Sequence, residues 1–337
     1  MLRALIAAAG FALAGCAGQP QPRETLLSGE TMGSAWTAKI AGRLPLSAED
    51  LRAGAQARFE AVDQALSTYR TDSALSQFND DTSGEWVDID PELGEVLAYA
   101  LSLAERSGGA YDVTVGPLVN LWGFGPDPAT HRVPDAAAID AARARVGYRK
   151  VEVDATQRRA RKEPGVRLDL SSLGKGRGVD RVAEYFDAHG VTNYLIDLSG
   201  KLRARGVNSR GAAWRVAVEP PQADAESAAP PFPSETVVLR DESVATAGNY
   251  RRFFEIDGGH YSHIIDARTG WPVTHGTLSA SAVAADCMQA DALATVFMVM
   301  QPDDAIALAN RLRLRAVLIN RDATNYGAMH SAAWPLN

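Results

Sequence analysis

The sequence predicts an α+β fold with a mostly antiparallel sheet. Apolar residues recur at helical spacing in several segments, and short β-branched runs bounded by glycine or asparagine lie between them. These helices and strands do not alternate regularly, which disfavours a doubly wound parallel sheet. A chain of 337 residues with 46% apolar and 22% charged residues is also long enough to bury a substantial core.

Five helices are predicted from periodicity. Their apolar faces or spans are residues 51–66, 93–104, 179–186, 290–300 and 303–312. The second is expected to start after the cap residue Asp90, with Pro91 in its first turn, and to stop at Gly108 and Gly109.

Seven strands are predicted between and beside these helices. They are residues 37–40, 151–153, 166–170, 194–198, 214–218, 236–239 and 316–319. Residues 219–235 are rich in proline and alanine without periodicity, which is typical of an exposed loop.

The amino terminus has the features of an export signal. An apolar run over residues 4–13 is too short to span a bilayer and ends in Leu-Ala-Gly-Cys, with Cys16 last. That string resembles the lipobox of bacterial lipoproteins, in which the cysteine is lipidated; the alternative is an ordinary secretory signal with a chance cysteine. We therefore expect a signal peptide at 1–15, a lipidated tether at 16–30 and a single domain at 31–337, held outside the cytoplasm.

Charge and cysteine content narrow the functional classes. The net charge of −7 argues against wholesale nucleic-acid binding. With only Cys16 and Cys287, a disulfide framework is not available. Cys287 lies among alanines and Met288, which suggests a small buried hydrophobe.

Asp291 and Thr295 are one helical turn apart on the otherwise apolar helix 290–300. Buried oxygen groups need partners, and a hard cation such as Mg²⁺ would satisfy both. Alternatively, the threonine bonds its own helix backbone and the aspartate caps a loop.

Residues 166–180 predict a strand, a glycine-rich turn and a helix. Such a turn can direct backbone N–H groups and a helix N-terminus at an anion, with Lys175 adding charge. The glycine spacing fits neither a P-loop nor a dinucleotide fingerprint. A tight turn with a solvated lysine is the alternative.

Two further segments could carry chemistry. His263 lies in a strand-like run before a turn that Asp266 opens, and a histidine can accept a hydroxyl proton near neutral pH; a structural role is the alternative. Residues 107–125 mix glycines with aromatics, which suits either a loop around a planar ring system or an Ω-loop packed on the core.

Six strings occur in one order along the chain. They are Thr-Met-Gly-Ser (31–34), Leu-Ser-Thr-Tyr-Arg-Thr-Asp-Ser (66–73), Gly-Ala-Tyr-Asp-Val-Thr-Val-Gly-Pro-Leu (109–118), Asp-Leu-Ser-Ser-Leu-Gly-Lys-Gly (169–176), Ser-His-Ile-Ile-Asp-Ala-Arg-Thr-Gly (262–270) and Ala-Asp-Ala-Leu-Ala-Thr (290–295). Together they resemble the ApbE family, the FAD:protein FMN transferases. The resemblance implies that family's fold, with packed helices and two closely associated subdomains.

The resemblance also implies roles for individual residues. FAD contacts would be made by Met32, Tyr69, Ala110, Tyr111, Asp112, Asp169, Lys175 and Ile264. Mg²⁺ ligands would be Asp291, Thr295 and an oxygen of Ser172, either its hydroxyl or its carbonyl. His263 would be the catalytic base.

The activity implied by the resemblance is Mg²⁺-dependent transfer of FMN from FAD to a threonine hydroxyl, with release of AMP. The acceptors implied are extracytoplasmic flavoprotein subunits, such as those of sodium-pumping NADH:quinone oxidoreductases or Rnf complexes. The expected location is the periplasmic side of the cell envelope. Hydrolysis of the FAD pyrophosphate and non-catalytic FAD storage are the alternatives.

Overall fold

The computed structural model describes residues 24–126, 131–218, 235–250, 252–321 and 326–335. The predicted signal peptide, Cys16 and residues 219–234 of the predicted loop lie outside these ranges. Within them, no helix is both long and apolar enough to cross a membrane.

The described residues contain eight helices, of which five overlap the predicted periodicities. They are α1 (Ala48–Leu66), α2 (Ala74–Asp80), α3 (Pro91–Arg106), α4 (Gly116–Leu121), α5 (Ala136–Arg143), α6 (Ser171–Ala188), α7 (Cys287–Val299) and α8 (Pro302–Arg311), with a 3₁₀ turn at Tyr148–Lys150. Asp90 caps α3 by accepting hydrogen bonds from the first-turn N–H groups of Glu92 and Leu93. Gly108 and Gly109 follow its end with positive φ angles of 63° and 79°, as a glycine stop requires.

The strands form one large sheet and several small ones. They are β1 (Glu24–Thr31), β2 (Ser34–Ala41), β3 (Val87–Asp88), β4 (Val151–Asp154), β5 (Arg159–Lys162), β6 (Tyr194–Leu198), β7 (Lys201–Arg205), β8 (Trp214–Val218), β9 (Glu235–Leu239), β10 (Ser243–Gly248), β11 (Phe253–Ile256), β12 (Gly259–Ser262), β13 (Ile265–Asp266), β14 (Trp271–Pro272), β15 (Thr277–Ala284), β16 (Arg315–Arg321) and β17 (Tyr326–His330). The large sheet has the order β1-β2-β6-β7-β10-β15-β16-β17. All its pairings are antiparallel, so the predicted fold class is confirmed.

The two faces of this sheet are covered by different elements. Because side chains alternate along a strand, Tyr194 and Ile196 of β6 pack with the apolar faces of α1 and α6. Leu195 packs on the opposite face, against the β8–β9 hairpin that carries Trp214 and Val237. At β6 the sheet is therefore covered on both sides, and the helices on one side position the site.

Helix α7 is buried along nearly its whole length. Its apolar residues join a core shared with α3, α8, β15 and β16. It packs against α6 and the sheet strands β10 and β15. A carboxylate on such a helix, as at Asp291, can persist only with compensating partners.

Three sequence predictions are wrong in detail. The tether was expected to reach residue 30, but Glu24–Thr31 is the edge strand β1, paired with β2. Residues 166–170 are extended but form only one isolated bridge, between Arg167 and Val115. The glycine-rich segment is not a turn, because α6 already begins at Ser171.

Candidate functional site

A cavity of about 420 Å³ lies where α6, α7, β10 and the segment after β12 meet. Its wall includes Ser34, Ala110, Tyr111, Asp112, Phe124, Asp169, Ser171, Ser172, Lys175, Lys201, Thr246, Arg252, His263, Ile264, Asp291 and Thr295. Ten of the twelve residues predicted to bind cofactor or metal or to act as base are in this wall: all except Met32 and Tyr69. A volume of this size is typical of a small-molecule site.

Asp291 is the most buried charged group of the cavity, with only 2% of its surface exposed. Its Oδ1 lies 3.1 Å from the Lys201 ammonium, and its Oδ2 accepts a 3.1 Å hydrogen bond from the Gly176 N–H. Burial raises the pKa of the Asp291 carboxyl, and the Lys201 charge opposes that rise. Both carboxylate oxygens are thus held in place from neighbouring elements.

The glycines of α6 have a packing function that differs from the predicted anion turn. A Cβ on Gly176 would lie 2.5 Å from the Cys287 carbonyl oxygen and 2.8 Å from Met288 Cα. A Cβ on Gly178 would lie 2.8 Å from Phe59 of α1. These glycines let α6 approach its neighbours closely, and the approach brings the Gly176 N–H to Asp291.

The first turn of α6 nevertheless faces the cavity. Ser171 and Ser172 belong to the wall, and Asp169 accepts a 2.8 Å hydrogen bond from the Ser171 N–H. A helix N-terminus favours a bound anion, and Lys175 adds a positive charge one turn further on. Burial lowers the pKa of the Lys175 ammonium.

Both hydroxyl groups that are candidates for metal binding already make a hydrogen bond within the protein. Thr295 Oγ1 donates a long 3.3 Å hydrogen bond to the Asp291 carbonyl, which is the backbone contact considered as the alternative to a ligand role. Ser172 Oγ lies 2.9 Å from the Tyr111 hydroxyl. Helix geometry directs the Ser172 carbonyl oxygen toward the N–H of Gly176, four residues later, and that N–H donates to Asp291. Ser172 therefore offers two oxygens beside the carboxylate.

His263 lies in the bend between β12 and β13, not in a strand. Its Nδ1 is 3.1 Å from the Arg252 carbonyl oxygen, which can only accept, so Nδ1 carries the proton and Nε2 keeps its lone pair. Burial, with the nearby charges of Arg252, Lys201 and Lys175, lowers the pKa of His263 to about 4. The imidazole is neutral at pH 7 and is able to accept a proton.

Asp112 has structural partners in the cavity wall. Its carboxylate accepts hydrogen bonds from the Thr114 N–H at 2.8 Å, the Thr114 hydroxyl at 2.6 Å and the Tyr148 N–H at 2.8 Å. These contacts shape the loop that presents Ala110 and Tyr111 to the cavity. Ile264 contributes an apolar surface on the opposite segment.

Met32 and Tyr69 lie outside the wall. Met32 adopts a left-handed φ of 47° in the β1–β2 turn and packs between two apolar cores. Tyr69 is 56% exposed, and its hydroxyl donates to the Phe124 carbonyl oxygen at 3.3 Å and lies 3.4 Å from the Arg252 guanidinium. Because Phe124 and Arg252 line the cavity, Tyr69 stands at its rim.

Sequence reasoning missed Lys201 and Arg252 as site residues. Lys201 opens β7 next to a single glycine, and its partner Asp291 follows 90 residues later, so no local pattern marks the pair. Within the described ranges no group of three or more His, Cys, Asp or Glu side chains could hold a metal. The candidate metal site is therefore one carboxylate supported by hydroxyl and carbonyl oxygens.

Comparisons with known proteins agree on one family. The model of the ApbE family matches residues 32–318. The FAD:protein FMN transferase of Escherichia coli K12 is 36% identical over 332 residues, which is 96% of this chain and 93% of the relative. The protein of the same name from Vibrio cholerae is 38% identical over 309 residues, covering 91% of this chain and 90% of the relative.

Solved structures give the same result. The flavin transferase ApbE from Vibrio cholerae superposes with a TM-score of 0.85 at 35% identity and covers 93% of this chain and 98% of its own. The apo form of the Pseudomonas stutzeri flavinyl transferase ApbE superposes with a TM-score of 0.84 at 34% identity, covering 93% of this chain and 96% of its own.

Proposed function

Because the chain belongs to the ApbE family, we propose that it is a FAD:protein FMN transferase that links FMN to a threonine hydroxyl of an acceptor protein and releases AMP. The main structural support for this proposal is that the required chemical groups line a single cavity. A buried carboxylate with adjacent oxygen groups, a lysine beside a helix N-terminus and a neutral histidine all line one cavity.

The donor set fits a magnesium ion. Asp291, Thr295 and Ser172 present a carboxylate and neutral oxygens, the hard ligands that Mg²⁺ takes, and all three residues line the cavity. Mg²⁺ usually keeps further positions for water and substrate phosphate, so few protein ligands are enough. When bound, the ion would neutralise the pyrophosphate oxygens of FAD.

The residues of the chain account for the remaining steps. Nε2 of His263 takes the proton of the acceptor hydroxyl, whose oxygen then attacks the phosphorus on the FMN side of the pyrophosphate. The bond from that phosphorus to the bridging oxygen breaks, and AMP leaves with that oxygen. Lys175 and the first N–H groups of α6 balance charge on the phosphates.

The amino-terminal sequence indicates where the protein and its acceptor would be located. We expect an extracytoplasmic flavoprotein subunit, as in sodium-pumping NADH:quinone oxidoreductases or Rnf complexes, since Leu-Ala-Gly-Cys at 13–16 would place this chain outside the cytoplasm. Lipidation of Cys16 would tether the protein to the membrane on the periplasmic side.

A flavin-transfer assay tests the proposal. The protein is incubated with FAD, Mg²⁺ and a candidate acceptor, and flavin fluorescence is read on the acceptor after denaturing electrophoresis. We expect a fluorescent acceptor band and stoichiometric AMP, both lost with EDTA and in Asp291→Ala. Circular dichroism of the variant checks that its fold is retained.

The same assay separates the competing functions. AMP and FMN appearing in solution without a fluorescent acceptor would indicate a pyrophosphatase. Tight FAD binding with no AMP over hours would indicate a storage protein. Undiminished transfer by Asp291→Ala would contradict the metal assignment.

A further inference from the structure

The contact between Lys201 and Asp291 places a positive charge where a metal ligand is expected. The Lys201 ammonium lies 3.1 Å from Asp291 Oδ1 and also donates to the Thr246 carbonyl. We propose that Lys201 competes with the divalent cation: it neutralises Asp291 in the free enzyme and leaves Oδ1 when the metal binds. This inference rests on the metal site of the proposed function and adds a residue that controls its loading.

Burial explains why Asp291 needs a partner in the metal-free state. Its side chain is 3% exposed and that of Lys201 is 12% exposed, so water cannot solvate either charge fully. A buried carboxylate without compensation is strongly unfavourable, and a neighbouring ammonium together with a backbone donor supplies the compensation. Lys201 and the Gly176 N–H are those two groups.

The two partners of the carboxylate differ in their freedom to leave. The Gly176 N–H belongs to α6, which is packed against the start of α7 so tightly that a Cβ on Gly176 would meet backbone atoms. Lys201 ends a flexible four-carbon side chain and is held at its tip by single contacts. Entry of a cation at Oδ1 therefore requires movement of Lys201, not of Gly176.

The Lys201 ammonium and a magnesium ion cannot both contact Asp291 Oδ1. A magnesium ion sits about 2.1 Å from a carboxylate oxygen, well inside the present separation of the ammonium from Oδ1, and repels a positive charge so close to it. Lys201 lines the same cavity as Lys175, so its displaced ammonium remains beside the space that the substrate's phosphates would occupy. Metal loading would then move a positive charge from the carboxylate toward the anionic substrate.

Manganese binding to the free enzyme measures this competition directly. Mn²⁺ replaces Mg²⁺ as a paramagnetic probe, and free Mn²⁺ is counted by electron paramagnetic resonance during titration of the full-length protein without FAD or acceptor. We expect Lys201→Met to bind Mn²⁺ about tenfold more tightly than the unmodified protein, since one neighbouring charge is worth at least that factor in a partly buried site. Lys201→Arg keeps the charge and is expected to stay within about threefold of the unmodified protein.

Folding of the variants is controlled by thermal unfolding. Removal of Lys201 takes away the ammonium that compensates the buried Asp291 charge, so the metal-free Lys201→Met protein should unfold at a lower temperature, and Mn²⁺ should raise its midpoint more than that of the unmodified protein. Lys201→Gln, which is neutral but retains an N–H donor, provides the same comparison if the methionine variant does not fold.

Three outcomes would overturn the proposal. They are equal or weaker Mn²⁺ binding by the neutral variants, tightening in Lys201→Arg equal to that in Lys201→Met, and Mn²⁺ binding that survives Asp291→Ala. Because the titration contains neither FAD nor acceptor, it can fail while flavin transfer succeeds, and transfer can fail while the competition is observed.

Discussion

Gly176→Ala tests whether the α6–α7 contact builds the site. The added Cβ would lie 2.5 Å from the Cys287 carbonyl oxygen, about 0.9 Å short of an ordinary 3.4 Å contact. The atoms in its way belong to the backbone, so no rotamer change relieves the clash and the helices must separate. The same separation lengthens the 3.1 Å hydrogen bond from Gly176 to Asp291.

Gly174→Ala is the matched control, because a Cβ there meets nothing within 4 Å on the same helix. Alanine favours a helix over glycine by about 1 kcal/mol, so Gly174→Ala should be neutral or stabilising. Overpacking a core typically costs about 1–3 kcal/mol, so Gly176→Ala should be less stable than Gly174→Ala by about that amount.

Thermal unfolding of the two variants side by side is the assay. A difference of 1 kcal/mol corresponds to about 2 °C in the midpoint for a chain of this size, so Gly176→Ala should unfold about 2–6 °C below Gly174→Ala. Flavin transfer should also fall in Gly176→Ala alone. A midpoint for Gly176→Ala at or above that of Gly174→Ala would refute the packing explanation of the glycine.

Two further predictions concern side chains of the cavity wall. With a pKa of about 4, His263 stays deprotonated from pH 8 down to about 5 and is protonated only as the pH falls through 4, so kcat/KM should show no loss from this group above pH 5. His263→Gln should lower kcat by about 10²–10⁴-fold, and an acid limb with a midpoint near 6.5 in the unmodified protein would contradict the assignment. Asp112→Ala removes the acceptor of hydrogen bonds from Thr114 and Tyr148, which should cost about 1–3 kcal/mol and lower the thermal midpoint. A variant as stable as the original that has lost only its affinity for FAD would instead assign Asp112 a direct role in binding.

Local signals predicted five of the eight helices and six of the seventeen strands that the structure describes. Asp90 and Pro91 mark the start of α3, and Gly108 marks its stop, because caps act on the neighbouring backbone and need no tertiary partner. The bounds of β6 and β8 agree with the predicted ranges because their buried residues alternate with less buried ones.

The errors arose where tertiary packing overrides local preference. Glycine lowers helix propensity, so Gly174, Gly176 and Gly178 favour a turn in isolation. In the folded protein two of them provide close approach to α7 and α1, and the helix persists through all three. The extent of the tether was misjudged for a similar reason, since β1 is a strand only because β2 pairs with it.

The sequence motifs predicted part of the cavity wall but not the contacts that join its residues. The motifs identified ten residues of the cavity wall. The contact of Asp291 with Lys201 and that of His263 with the Arg252 carbonyl join separate strings, which single motifs do not predict. Met32 is predicted from its motif to contact FAD, and its side chain packs between two apolar cores outside the cavity wall.

The cavity wall draws on residues from Ser34 near one end of the described chain to Val299 near the other. No shorter stretch of the described chain contains the whole cavity wall. The wall is formed by residues of β2, α6 and α7, which lie far apart in the sequence. A chain that ends before Val299 therefore lacks part of the cavity wall. Binding of FAD, the proposed substrate, is accordingly a test of completed folding, and a protease cut between Ser34 and Val299 that separates the pieces should abolish it.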